Sequence, residues 1–180
     1  MPIGLFEIQR LCSKTPPLIE GMTDEQFKEG HAGVDLRLGS VSTLKPRDRA
    51  VLGLGTNDRK IPIPSEVVSF RRQALGTPYV IKPGQYVVVE TIERLNIPKN
   101  LMAFFWPRAT LHTSGVLMNT SPIHPNYRGG LLFGMFNAGP CDFTIKLGAR
   151  FVHIAFFMVQ GRTNPYVMGD KVLRIRTGKQ

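Results

Sequence analysis

The sequence predicts a mainly β protein, a barrel or jelly roll with short helices near the N-terminus. Beyond Gly30 the chain contains short apolar runs rich in β-branched and aromatic side chains, which are typical of strands. Glycine and proline interrupt these runs about every 10 residues, the spacing expected of an antiparallel all-β architecture. The predicted strands cover residues 34–38, 86–91, 101–106, 131–136 and 151–157.

Two short helices are predicted before the first strand. Apolar residues at helical spacing predict a helix over residues 6–12. Thr23, with Gln26 three residues later, forms a capping-box signal for a second helix over residues 24–28. Segment 44–76 is irregular and contains several glycines and prolines, so we expect an insertion there with one or two short strands.

The composition indicates one globular domain over residues 1–180, with its core at about residues 31–160. No apolar stretch approaches the roughly 20 residues that a membrane helix needs, and the N-terminus lacks the pattern of a signal peptide. We therefore expect a cytoplasmic protein without membrane contact. Cys12 and Cys141 have no metal-site spacing and are predicted to be reduced thiols.

The formal net charge of +10 indicates an anionic partner. A nucleoside triphosphate or a nucleic acid would each satisfy this charge. The basic residues are scattered along the chain and are not interleaved with aromatic residues that could stack on bases. This distribution favours a nucleotide and leaves nucleic acid as the less favoured partner.

Several blocks of sequence occur in the order found in one enzyme superfamily. They are HAGVDLRLG at 31–39, IKPGQ at 81–85, IPKNL at 97–101, a long block at 106–137 and FTIKLGARF at 143–151. Together they resemble the dCTP deaminase/dUTPase superfamily, and their spacing is closer to the dCTP deaminase branch. The resemblance implies a distorted jelly roll of the dUTPase-like type. It also implies nucleotide chemistry, either deamination of dCTP or removal of pyrophosphate from dUTP.

Three of the predicted strands, 101–106, 131–136 and 151–157, are apolar on both faces. An opposing sheet can cover one face, so the other needs a second cover, and contact between subunits supplies it. The resemblance implies a homotrimer with sites at the subunit interfaces. The expected partners are therefore further copies of the chain and a nucleoside triphosphate.

The resemblance places a phosphate loop directly after residue 107. Arg108 matches the family's phosphate-loop arginine, whose guanidinium can bind two phosphate oxygens, although a surface salt bridge is the other interpretation. Ala109 replaces a serine that contacts phosphate, Thr110 keeps a hydroxyl beside it, and Thr113 stands where the deaminases have a second arginine. The residues expected to bind nucleotide are Arg108, Ala109, Thr110, Asn119, Tyr127 and Arg128.

Segment 115–124 corresponds to the hairpin that accepts the base and deoxyribose in the family, and it is shorter here. Tyr127 matches an aromatic residue whose ring packs under the deoxyribose, or it is a turn residue half-buried against the barrel. His124 occupies the position of an aspartate that positions or activates water. An imidazole can act as a base near neutral pH but supplies no fixed negative charge, so a structural role is the alternative.

Gly134 occupies the position of the glutamate that moves the proton in the deaminases, and glycine can transfer nothing. His153 replaces another polar family residue near the phosphates. Asp35 is a retained acidic position; its carboxylate could hold a water of a nucleotide-bound Mg²⁺, pair with Arg37 or cap a turn. Zinc-deaminase and metalloprotease motifs do not occur, so Mg²⁺ carried by the nucleotide is the only cofactor expected.

The first hypothesis is thus a trimeric nucleotide-binding protein of this superfamily whose catalysis is altered or lost. One alternative is an active dCTP deaminase or dUTP diphosphatase that uses non-standard residues. Another is a non-enzymatic trimeric scaffold or regulator that binds protein or nucleic acid through its basic surface. Stabilisation of the fold by nucleotides would separate binders from scaffolds.

Overall fold

The alternating strands of the sequence fold into a mainly β architecture in the computed structural model, which describes residues 1–28, 32–45, 49–54, 59–162 and 164. Within these residues there are three short helices and twelve strands. In chain order they are α1 (Leu5–Cys12), β1 (Ile19–Glu20), α2 (Asp24–Lys28), β2 (Val34–Thr43), β3 (Val51–Leu52), β4 (Arg59–Lys60), β5 (Ser65–Ser69), β6 (Pro78–Ile81), β7 (Tyr86–Asn96), β8 (Leu101–Pro107), α3 (Ala109–Thr113), β9 (Val116–Asn119), β10 (Arg128–Asn137), β11 (Phe143–Lys146) and β12 (Arg150–Met158).

An eight-stranded antiparallel sheet dominates the fold. Its order is β8-β12-β2-β7-β10-β9, with β1 paired to β7 and β5 paired to β2. An isolated bridge between Ala103 of β8 and Ile123 joins the first strand of this order to the segment before β10, so the sheet nearly closes into a barrel. Strands β6 and β11 form a separate pair, as do β3 and β4. The prediction of a mainly β barrel or jelly roll is confirmed.

The core lies inside this curved sheet because alternate side chains of each strand point inward. In β7 the burial alternates, with Val87, Val89 and Leu95 fully buried. Phe133 of β10 contacts two further core rings edge to face, with centroid distances of 5.0 Å to Phe105 and 5.9 Å to Phe151. These rings connect three strands through the core.

Both predicted N-terminal helices are confirmed. Helix α1 begins one residue earlier than predicted, at Leu5, and buries Ile8 against the barrel. Helix α2 has the expected start, since the Thr23 backbone N–H donates to the side-chain oxygen of Gln26 at 3.0 Å. No described helix is long and apolar enough to span a bilayer.

The region between β8 and β10 differs from the predicted polar hairpin. The five-residue helix α3 directly follows Arg108, and only one strand, β9, follows it; this strand pairs with β10. Gly115 joins α3 to β9 with a φ of +77°, a conformation that glycine adopts without strain. The described residues of the insertion contain three short strands, one more than expected, and the last of them, β5, extends the main sheet beside β2.

Several strands present aromatic side chains on the outer face of the sheet as well as in the core. Phe104, Trp106 and Phe157 form what we call the outer aromatic cluster. Phe104 lies 5.4 Å from the Phe157 ring and 6.3 Å from the Trp106 ring, and Trp106 is 47% exposed. The prediction that strands 101–106 and 151–157 are apolar on both faces is therefore confirmed.

Candidate functional site

A polar cluster on the barrel joins Arg108, Asp35 and His153. Asp35 and His153 lie on the neighbouring strands β2 and β12, and Arg108 directly follows β8; His153 is directly opposite both Asp35 and Trp106 in the strand pairing. Asp35 forms an ion pair with the Arg108 guanidinium through Oδ2, and its Oδ1 lies 2.9 Å from His153 Nδ1. The Arg108 backbone N–H donates to the Phe151 carbonyl at 3.0 Å, which fixes the end of β8 beside this cluster.

Asp35 pairs with Arg108 and not with Arg37, which corrects one of the interpretations drawn from the sequence. Arg37 instead contacts Glu93, a fully buried carboxylate that accepts from Arg37 Nε at 2.7 Å and from the Arg37 backbone N–H at 2.9 Å. Gln26 donates both to Glu93 at 2.9 Å and to the Asp35 carbonyl at 2.8 Å. Glu93 thus pairs with the Arg37 guanidinium, and through Gln26 it holds the backbone of Asp35 in place.

The His153 imidazole is packed closely enough to favour its neutral form. Burial, and then the nearby positive charge of Arg108, lower the pKa of His153 below its ordinary value. The neighbouring Gly33 leaves room for the ring, since a Cβ at this position would lie 2.5 Å from His153 Nε2 and 2.3 Å from the Ile154 carbonyl oxygen. The cluster therefore offers an oriented guanidinium beside a carboxylate and a largely neutral imidazole.

A cavity of about 440 Å³ lies between the loop before β10 and the start of that strand. His124 and Tyr127 line it together with Phe105 and Leu132. The Tyr127 hydroxyl donates to the Gly130 carbonyl at 2.6 Å, so this side chain is held by its own turn and presents its ring to the cavity. This volume is in the range of small-molecule sites, which typically measure about 300–1,000 Å³.

Gly134 lies on the outer face of the sheet near two polar side chains. It is directly opposite Asn119 of β9 and Val88 of β7. A Cβ at Gly134 would be only 2.1 Å from the Tyr86 hydroxyl, so the tyrosine occupies the space where a side chain at this position would begin. We call Tyr86, Asn119 and Gly134 the Gly134 face.

Sequence reasoning did not identify two members of this outer surface. Glu90 opposes Leu132 in the strand pairing, which places its carboxylate one row from Gly134 on the same face of the sheet. Its carboxylate is also 3.9 Å from the Arg71 guanidinium. Glu90 and Tyr86 were visible in the sequence only as outward positions of an alternating strand, and their proximity to Gly134 depends on the register between β7 and β10.

The remaining predicted site residues divide among separate places. Ala109 and Thr110 are exposed in the first turn of α3, next to Arg108. Arg128 lines a different cavity, of about 560 Å³, together with Arg10 and Lys14 of the N-terminal region. The structure therefore joins Arg108 to Asp35, Asn119 to Gly134 and His124 to Tyr127, but it does not place Arg128 in the cavity of His124. Within the described part of the chain, no group of three or more histidine, cysteine, aspartate or glutamate residues could hold a metal ion.

The barrel and its ordered motifs define a protein of the dCTP deaminase/dUTPase superfamily. Residues 6–159 match the model of the family described as dCTP deaminase-like, and the chain belongs to that family.

The chain is similar to named enzymes of both branches. It is 34% identical over 104 residues to a dCTP deaminase of Thermococcus kodakarensis, an alignment that covers 56% of this chain and 67% of that protein. A dCTP deaminase of Pyrococcus furiosus is 27% identical over 83% of this chain and 81% of its own length. A probable deoxyuridine 5'-triphosphate nucleotidohydrolase of Methanopyrus kandleri is 28% identical over 79% of this chain and 86% of its own length.

The fold is similar to that of the 2'-deoxycytidine 5'-triphosphate deaminase of Agrobacterium tumefaciens, with a TM-score of 0.62 at 19% identity. That alignment covers 86% of this chain but only 46% of the Agrobacterium chain, so the chain spans less than half of that solved structure.

Proposed function

We propose that this protein binds a pyrimidine deoxynucleoside triphosphate, with the proton-transfer chemistry of its family altered or lost. The contrast between two positions in the structure carries this proposal. At one, Arg108 is present, oriented by Asp35 and 38% exposed at its side chain. At the other, Gly134 has no carboxylate and Tyr86 fills the adjoining space.

Arg108 is the proposed contact for the phosphates. A guanidinium binds phosphate oxygens in a two-pronged geometry, and its pairing with Asp35 restricts the directions in which it can point. The same carboxylate would repel a triphosphate. Mg²⁺ brought by the nucleotide would remove this repulsion if Asp35 contacted one of its water ligands, and the single carboxylate suits that indirect role better than a permanent metal site.

The cavity lined by His124 and Tyr127 is the proposed place for the deoxyribose. The base is then proposed to lie on the Gly134 face, next to Leu132, which also lines this cavity. The Tyr127 ring offers an apolar surface there, as the family resemblance implies for the deoxyribose. His124 is exposed and lines this cavity. Residue 134 is a glycine, so it offers no carboxylate that could exchange a proton with His124. These features support binding of the nucleotide more strongly than its deamination.

We also propose that the functional unit is a homotrimer. The outer aromatic cluster leaves Trp106 half-exposed, and the other end of the sheet order carries the exposed Leu117 and Phe136. Association would bury these side chains and stabilise the assembly by about 25 cal/mol for each Å² of apolar area removed from water. A neighbouring copy could combine Arg108 of one subunit with Gly134 of another in one site, since the family resemblance implies sites at subunit interfaces.

A thermal-shift screen of the deoxynucleoside triphosphates, with and without Mg²⁺, tests the binding proposal. A nucleotide at a large excess over its Kd should stabilise the fold by a few kcal/mol. Arg108→Ala should weaken binding by about 1.5–3 kcal/mol, or roughly 10- to 150-fold in Kd. Arg72→Ala is the matched control, because Arg72 is 73% exposed and pairs with Glu66 away from the cluster. Equal affinity of wild type and Arg108→Ala would contradict the proposal.

An active deaminase or dUTP diphosphatase is the second candidate, because Glu90 places a carboxylate on the same outer face as Gly134. Product analysis separates the two candidates. We expect neither ammonia from dCTP nor pyrophosphate from dUTP at rates typical of enzymes, since a positioned acid/base contributes about 10²–10⁴-fold. Rapid ammonia release that Arg108→Ala abolishes would support the enzyme and overturn the loss of catalysis.

A further inference from the structure

Tyr86 and Gly134 form a matched large-and-small pair on neighbouring strands. Tyr86 opposes Phe136, and its ring extends diagonally across the sheet to Gly134. A Cβ at Gly134 would lie 2.1 Å from the Tyr86 hydroxyl oxygen, 2.8 Å from Cζ and 3.2 Å from Cε2. The tyrosine can take this position only because residue 134 has no side chain.

The hydroxyl of Tyr86 is therefore located where the side chain at position 134 would leave the strand. The family resemblance implies, for the deaminases, a glutamate at this position that moves a proton between water and the base. A phenol hydroxyl both donates and accepts a hydrogen bond, so it can bind a polar ring atom without the negative charge of a carboxylate. Resting on the proposed function, we propose that Tyr86 is the base-reading residue of the nucleotide site in this chain.

Asn119 provides a second polar group at the same place. It is exposed and directly opposite Gly134, and residues so paired have Cβ positions about 4.5–5.5 Å apart. Its amide offers both donors and an acceptor, as the hydroxyl does. A hydroxyl and an amide can match the 4-amino edge of cytosine or the 4-oxo edge of uracil by reorienting. The ligand class is thus a pyrimidine deoxynucleoside triphosphate with weak discrimination between the two bases.

Calorimetric titration of the full chain with dCTP, dUTP and inorganic tripolyphosphate tests this role. Tyr86→Phe keeps the ring and removes only the hydroxyl, so we expect both nucleotides to bind about 3- to 10-fold more weakly and tripolyphosphate to bind unchanged. Tyr79→Phe is the control for loss of a hydroxyl, because Tyr79 lies on β6, which pairs with β11 and not with β10, and its hydroxyl already accepts from Gln85 at 2.9 Å. The wild-type Kd values of dCTP and dUTP should agree within about 5-fold, less than one well-formed hydrogen bond can provide.

The outcomes separate this inference from the proposed function. If Arg108→Ala weakens nucleotide binding while Tyr86→Phe changes nothing, the nucleotide site stands and Tyr86 does not read the base. Equal losses for nucleotide and tripolyphosphate in Tyr86→Phe would also overturn the base-reading role. If neither nucleotide binds more tightly than tripolyphosphate to the wild type, both proposals fail.

A double-mutant cycle on melting temperature tests the contact itself. Alanine in place of glycine within a strand ordinarily stabilises a fold. Here the Cβ of Gly134→Ala must displace the end of the Tyr86 ring, so the substitution should raise Tm less in the wild type than in a Tyr86→Leu background. The same Tm change in both backgrounds would show that Tyr86 does not occupy this space.

Discussion

Removal of the buried Glu93 carboxylate should cost a large part of the stability of the barrel. Glu93 is fully buried and accepts three hydrogen bonds, two from Arg37 and one from Gln26. Glu93→Ala would leave the Arg37 guanidinium, only 16% exposed, with the Gly21 carbonyl but without a carboxylate partner. Breaking a buried ion pair by removing one member typically costs about 3–5 kcal/mol, and we expect that loss in the free energy of unfolding. Glu93→Gln should cost less, because its side-chain oxygen can still accept from Arg37 Nε and Gln26, although its NH2 group would then oppose the Arg37 backbone N–H.

Urea unfolding at one fixed protein concentration measures these differences, with circular dichroism and Trp106 fluorescence as two independent probes. Glu66→Ala is the control, because Glu66 pairs with the largely exposed Arg72 at 2.7 Å and such pairs contribute about 0–1 kcal/mol. A fixed concentration is needed since association would add to the apparent stability. If Glu93→Ala loses no more than Glu66→Ala, the Glu93 contacts do not stabilise the fold and the reasoning is wrong.

Three further changes have calculable directions. Gly115→Ala should lower the free energy of unfolding in urea by about 1–3 kcal/mol, because φ is +77° and a Cβ would lie 2.6 Å from the Gly139 Cα. An unchanged urea midpoint would contradict this. Asn137→Ala should lower the free energy of unfolding by about 2–4 kcal/mol, because the buried amide donates to the Ile81 and Cys141 carbonyls and accepts from the Gly139 N–H. A loss below about 1 kcal/mol on the same assay would refute that estimate. The pKa of His153 is lower in the folded chain than its ordinary value of about 6.5, so the unfolded chain takes up the proton first as pH falls. Its contribution to stability is therefore complete above about pH 6.5 and is lost as pH falls toward the folded pKa; a parallel pH–Tm profile for His153→Gln would refute this.

The strands could be predicted because their side chains alternate and because glycine and proline separate them. Strand β7 shows this clearly, since Val87 and Val89 point inward while Tyr86 and Glu90 point outward. Helix α3 could not be predicted in the same way. A five-residue helix is too short to show a helical period, and its threonines are as common in turns and strands. Strand β5 lies within the insertion, and its formation depends on pairing with β2 and not on its own sequence.

The candidate site was only partly accessible from the sequence, because motif positions do not say which side chains meet. Asp35 and His153 are 118 residues apart, and their contact depends on the register of β2 with β12. Sequence proximity suggested Arg37 as the partner of Asp35, but the buried Glu93 takes Arg37 instead. The substitution at Gly134 was visible in the sequence, whereas the tyrosine that uses the vacated space was not, since strand register brings it there.

The contact between Tyr86 and Gly134 also constrains how this chain could change over generations. A glutamate introduced at position 134 would meet the Tyr86 hydroxyl, so it can extend from the sheet only if the 40% exposed tyrosine ring moves aside. Moving or shortening the side chain at position 86 removes from this place the hydroxyl that we assign to base recognition. A return to a carboxylate at position 134 would therefore exchange one base-recognition group for another, and the effect of a substitution at either position depends on the residue at the other.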